Sequence, residues 1–203
     1  MSNQIAPTKG NLMATKKSYD LSKLGFELLD RKRNILVREM MALIERAKEI
    51  QDKIDVTYKK AFTTLKKAHI ALGVCEELAQ SVPEQTGLNV TFRSVMGVEI
   101  PIVQFNEQEE TGIPFGLYNS NSDLDKAYSC FREVSRLTAG LAEVETSVYL
   151  LANAIKKTQK RANALKNIMI PKFEAQIKTI TEALEEKERE EFSRLKVIKN
   201  QSK

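Results

Sequence analysis

Between Pro7 and Pro83 the chain contains no proline, and apolar residues recur there at three- and four-residue steps: Leu36, Met40, Leu43, Ala47, Ile50, Ile54. That spacing lines one face of an α-helix and matches no strand. After Ile54 the stripe shifts, through Tyr58, Ala61, Leu65, Ala68, Leu72 and Cys75. An eleven-residue element of this kind locally unwinds a left-handed supercoil. A second stripe runs Ala127, Phe131, Val134, Leu141, Val144, Val148, Leu151, Ile155, Thr158, Ala162, Leu165, Met169. It resumes with Phe173, Ile177, Ile180, Leu184, Leu195 and Ile198. Neither helix can bury its stripe alone, so the expected fold is mainly α, a long antiparallel two-helix coiled coil. One domain is expected: an N-terminal arm over residues 1–79, an acidic middle over 80–122 and a C-terminal arm over 123–203. Ser122 or Asp123 is the expected N-cap of the second arm. Arms of about 90 and 110 Å put facing residue numbers at a sum of roughly 205–210. Leu36 or Met40 is then expected near Pro171, and Leu65 near Leu141.

The middle has another period. In "NVTFRSVMGVEIPIVQF", β-branched and aromatic residues alternate at Val90, Phe92, Val98, Ile100 and Ile102, and Met96-Gly97 suits a tight turn. A small β-hairpin insert is expected over about residues 89–104, with Pro101 on an edge. An isolated two-stranded hairpin is marginal in water, so these five apolar residues are candidates for packing on the coil or docking on a partner.

Charge divides the chain the same way. Residues 1–75 hold 15 Lys/Arg and 8 Asp/Glu, 76–125 hold 1 and 9, and 126–203 hold 16 and 10. Two basic arms flank an acidic middle, which suits partners that differ along the molecule. Acids are interleaved with the bases in the arms and clustered aromatics are missing, so nucleic acid is not an expected partner. No apolar run reaches the length of a membrane span, and no secretory signal opens the chain, so direct membrane insertion is not expected and a cytoplasmic, soluble protein is. Cys75 and Cys130 match no metal or redox spacing and are read as reduced core residues.

Catalytic chemistry finds little to work with. His69 is the single histidine, sits beside the helical stripe and is expected to be a partly buried helix residue. No phosphate-binding glycine motif occurs. Carboxylates are plentiful on helix faces, but a slender coil offers no pocket to shift their pKa values. Neither an enzyme nor a cofactor or metal site is expected. Spacer, scaffold and shaft remain open on periodicity alone.

Two stretches are more specific. "APTKGNLMATKKSYDLSKLGFELLDRKRNIL" resembles the opening of the D subunit of the V-type (A/V-type) ATPases, on Pro7, Thr8, Lys9, Leu12, Lys16, Gly25, Leu28, Leu29, Lys32 and Arg33. Asp30 stands where that family commonly has Lys. "TQKRANALKNIMIP" is similar to the family's second signature on Thr158, Arg161, Asn163, Ala164, Leu165, Ile170 and Pro171. "EKEREEFSRLKVIK" resembles its ending on Glu188, Arg189, Glu190, Leu195 and Lys196. The resemblance implies the central-stalk rotor shaft of a V-type ATPase or ATP synthase, coupling ATP chemistry in a hexamer of A and B subunits to a membrane ion-translocating ring. It implies a hetero-oligomer with the F subunit and the subunit that couples to the membrane rotor, peripheral to the membrane. A static coiled-coil scaffold or adaptor is the alternative. Lys9, Lys16, Arg189, Arg194 and Lys196 are the expected hexamer contacts. Pro171 is expected to bend its helix, because a proline removes one backbone hydrogen bond and clashes with the preceding turn.

Overall fold

The computed structural model describes residues 6–75, 78, 80–82, 87–105 and 120–201. Helix α1, Lys9–Leu72, starts at a side-chain cap. The Asn11 N–H donates to Thr8 Oγ1 at 3.2 Å, and Asn11 Nδ2 reaches back to the Ala6 carbonyl at 2.8 Å. The first bond satisfies an N–H that a helix start leaves unpaired, and the second ties the entering chain to the first turn. The helix stops at Leu72 because Gly73 takes φ +79, a left-handed conformation suited to a C-terminal cap, while its N–H closes on the His69 carbonyl. Gly73 is the stop signal of α1.

Strands β1, Leu88–Val95, and β2, Val98–Phe105, form the central antiparallel hairpin. Met96 and Gly97 connect them with φ of 51 and 75. Both are positive, as a type I′ turn requires, and such a turn matches the twist of the flanking strands. Helix α2, Ser122–Ala164, follows, then a π-helical turn, Leu165–Met169, then helix α3, Ile170–Gln201. The Asn121 carbonyl accepts from Leu124 and Asp125, so the capping position is Asn121, one residue before the expected Ser122.

Contacts divide the chain into two units. One comprises Leu36–Ala154. Its α1 and α2 portions run antiparallel, with Phe62 edge-on to Phe131 at 5.4 Å and Ala68 packed with Leu124. Buried Leu43, Ile54, Ala61, Ala127, Val134, Val144 and Leu151 carry the stripe. The hairpin packs on α2: Ile100 is buried, and the Val103 N–H donates to Glu143 Oε2 at 2.8 Å.

The other unit comprises Met1–Ile35 and Ile155–Lys203. Antiparallel pairing is fixed here by Tyr19 Oη donating to Glu174 at 2.7 Å, Arg33 Nη1 to Gln159 at 2.8 Å, and the Lys9–Glu188 ion pair at 2.9 Å. Polar cross-links of this kind specify register in a coil. Thr15, Thr158, Ala162 and Ile180 are buried between the helices.

The register differs from the expected sum of roughly 205–210. Facing residue numbers add to 193 for Tyr19 with Glu174, for Phe62 with Phe131, and for Val95 with Val98 across the hairpin turn. Within Leu36–Ala154 the pairing is centred on Met96-Gly97, not on the midpoint of the chain. Leu65 accordingly lies with Ala127 and Phe131 beside one groove, not with Leu141. Pro171 falls three residues from the Glu174 that meets Tyr19, where the expected register puts Leu36 or Met40.

Candidate functional site: the interaction surfaces

A coil of two helices leaves most side chains in water, so its function depends on what its faces present. Among the described residues no group of three or more His, Cys, Asp or Glu is placed to hold a metal. No helix among them is long and apolar enough to cross a membrane. His69 is exposed, not partly buried as expected. It lies at the rim of an apolar groove of about 510 Å³ whose walls include Leu65, Val74, Leu78, Tyr128 and Phe131.

The charges expected to contact a partner sit on the terminal unit and are exposed. Lys9 is joined to Glu188. The hydrogen bond between them raises the Lys9 pKa above its ordinary value and lowers that of Glu188 below the usual carboxylate value. Arg189 pairs with Glu185 and Arg194 with Glu190, each at 3.6 Å along the helix. Lys16 lines a shallow depression with Met13, Lys17, Asp20, Leu21 and Leu24. Asp30, the departure from the family pattern, is held locally: it pairs with Arg33 at 2.7 Å and accepts from Asn34.

Sequence reasoning missed the apolar partners of these charges. Met13, Leu21, Leu24 and Leu28 are all more than half exposed on α1, as are Phe192, Leu195, Val197 and Ile198 on α3. Every residue from Glu185 to Gln201 is exposed, and α3 continues well past the residue that meets Lys9 at the start of α1. The signal was present in the sequence. Leu21, Leu28 and Ile35 repeat every seven residues on a face other than the one that pairs, which makes a second stripe on one helix.

The hairpin candidates divide by face. In an antiparallel pair, directly opposed residues share a face. Val90 opposes Val103 and Phe92 opposes Pro101, whereas Val98, Ile100 and Ile102 oppose Val95, Arg93 and Thr91. The five residues therefore form no single docking face. Val98, Ile100 and Ile102 are partly or fully buried, while Val90 is 44% and Phe92 67% exposed. The Met96-Gly97 turn preserves alternation along each strand but sets which face each strand contributes.

Pro171 follows a π-helical turn. The Ile170 N–H donates to the Leu165 carbonyl, five residues back, so the helix widens by one residue just before the proline. The wider turn moves the carbonyls that the proline ring would strike in a regular α-helix. A π-turn thus precedes the proline at which the sequence suggests a bend. Beside it, Gly25 of α1 faces Leu165, and Lys166 lies over the Phe26 ring at 5.6 Å.

Known proteins match nearly the whole of this chain in sequence. The family described as the D subunit of ATP synthase matches residues 11–200. A V-type ATP synthase D subunit of Thermotoga neapolitana is 46% identical over 197 residues, 96% of this chain and 97% of that protein. An A-type ATP synthase D subunit of Methanobrevibacter smithii is 36% identical over 200 residues, 97% of this chain and 87% of that one. For the protein of the same name in Pyrococcus horikoshii the identity is 34% over 202 residues, 97% and 94% of the two chains.

Proposed function

Because the chain belongs to the D-subunit family of ATP synthases and so serves as a central-stalk subunit of a hetero-oligomeric V/A-type ATP synthase, we propose that its paired terminal helices are the part that enters the hexamer of A and B subunits. The observation that carries this is the overhang of α3: Glu185–Gln201 offer exposed charge and apolar residues, and no helix among the described residues lies opposite their last turns. Lys9, Lys16, Arg189, Arg194 and Lys196 contribute long-range attraction and little individually, since exposed ion pairs contribute about 0–1 kcal/mol each. Met13, Leu21, Leu24, Leu28, Phe192 and Leu195 supply the contact area.

The chain itself performs no chemistry in this reading. Each catalytic interface meets a different side of an asymmetric shaft, so nucleotide occupancy and shaft angle are linked equilibria, and each biases the other by the same free energy. The acidic middle faces the F subunit and the subunit that couples to the membrane rotor, and the protein is peripheral to the membrane. Val90 and Phe92 are the hairpin residues left for docking; Val98, Ile100 and Ile102 hold it to the coil. A static scaffold would need no overhang of this kind. Pull-down from source membranes with mass-spectrometric identification tests the assignment, with the A, B and F subunits expected together. ATP-driven rotation that survives removal of the chain after Lys187 would refute the role of the overhang.

A further inference from the structure

The two edges of the hairpin are not alike. A two-residue turn makes Val95 and Val98 a hydrogen-bonded pair, and pairs then alternate along the ladder. On β2, the N–H groups of Val98, Ile100, Ile102 and Gln104 point into the ladder, and the positions of Glu99, Pro101 and Val103 point outward. Pro101 has no N–H to expose at its outward position, and the Val103 N–H is taken by Glu143. At Pro101 and Val103 this edge is closed, by sequence and by packing.

On β1 the outward groups belong to Leu88, Val90, Phe92 and Ser94. Among the described residues no hydrogen bond reaches them. Seven of the eight residues of β1 are exposed, on both faces of the strand. Nor does β1 carry a proline, a lysine or a bulge, and Arg93 is its single charged residue. A groove of about 420 Å³ opens beside Leu88, walled by Tyr58, Phe131, Val134, Thr138 and Ala142. Charge narrows the occupant. Arg93 is the single base among residues 76–125, against nine acids, and it lies on this open strand.

We propose that the free edge of β1 is a strand-addition site, which takes an extended segment of another subunit of the same complex. That segment has apolar residues at alternate positions, an acid beside Arg93, and otherwise neutral or basic character to suit the acidic middle. Main-chain bonds from Val90 and Phe92 hold it, and their side chains read its alternation. The inference rests on the reading of the hairpin as a partner-docking element.

Two measurements on the full chain and the assembled complex test it. In residue-resolved hydrogen exchange, the Val90 and Phe92 amides exchange freely in the isolated chain and at least about tenfold more slowly in the complex. Equal rates in both states overturn the proposal, as does protection already present in the isolated chain, which would mean that the chain covers its own edge. In the second, Val90→Pro removes an outward N–H and leaves the ladder intact, with slow exchange at Ile102 reporting an intact hairpin. It should weaken partner retention beyond the effect of Val90→Ala. If both variants weaken retention equally, the hairpin docks through side chains and strand addition is wrong. If neither does, hairpin docking itself fails. Should the proline variant lose the ladder, Arg93→Glu decides: unchanged retention overturns the proposal.

Discussion

Deleting Asn167 from the π-turn tests why the second arm carries Pro171. The turn is a single-residue insertion in a helix whose stripe otherwise steps by alternating four and three. The steps are four, three, four and three from Leu151 to Leu165, then four, four and four to Ile177, then three and four to Leu184. One three has become a four, so one residue is surplus, and the turn at Leu165–Met169 absorbs it. Deletion of exposed Asn167 should restore a continuous α-helix and leave Phe173, Ile177 and Ile180 facing α1. It should also return Pro171 to a regular helix interior, at about 3 kcal/mol. Deletion combined with Pro171→Ala should therefore lie within about 1 kcal/mol of the wild type, because the packing is kept and the clash is gone. The alternative gives a different number. If the turn were not an insertion, one residue fewer would rotate α3 by about 100° and unseat Ile180, which is 3% exposed. Loss of that one side chain from its site costs about 2–5 kcal/mol, and the proline substitution could not restore it. Urea unfolding of the four chains, followed by helical circular dichroism, measures the cycle. A disulfide trap between Tyr19→Cys and Glu174→Cys, with Cys75 and Cys130 replaced by alanine, reports register. Equal destabilisation by the deletion with and without Pro171, or loss of the trap in the double variant, would refute the reasoning.

Three other outcomes are expected. Gly25→Ala should stabilise the chain by about 0.5–1 kcal/mol in thermal or urea unfolding, because an added Cβ meets Leu165 at an ordinary 3.6 Å. Leu151→Ala, at a position with no exposure, should cost about 2–5 kcal/mol, whereas Leu195→Ala at 65% exposure should stay within about 0.5 kcal/mol and reduce coupling in the reconstituted complex. The Lys9–Glu188 pair should stabilise only while both groups are charged. Its contribution is complete between the ordinary values of 4.5 and 10.5, is lost as pH falls through the depressed Glu188 pKa, and is lost again as pH rises through the raised Lys9 pKa. Titration of the Glu188 carboxyl by NMR should show a midpoint that returns to the ordinary value in Lys9→Met and in high salt.

How far such features can be read in advance depends on whether they are local. The Met96-Gly97 turn follows from two residues and the alternation around them, and it stands where the sequence puts it. The helical arms follow from a period. Gly73 was equally local, a glycine at the end of a stripe, and would have placed the helix end at Leu72. Register is not local. Tyr19 meets Glu174 across a sequence separation of 155, and no stripe records that number. The π-turn stands between these cases: three successive steps of four are visible, and they announce a surplus residue without saying how the backbone will take it.

The functional surface divides in the same way. Its family motifs are visible as residues, and the structure gives some of them a physical role, since Thr8 caps α1 and Arg33 crosses to Gln159. Those roles are structural, so a motif residue need not touch a partner. The surface left for partners is made by subtraction. Leu21 and Phe192 become candidates only once pairing has used the other faces of α1 and α3, and Val90 and Phe92 only once β2 has turned toward Glu143. Charge points to the terminal arms early because long charged side chains stay in water whatever the register. The apolar contacts, which carry more of an interface's free energy than exposed ion pairs, can be named only after the fold has consumed its own share.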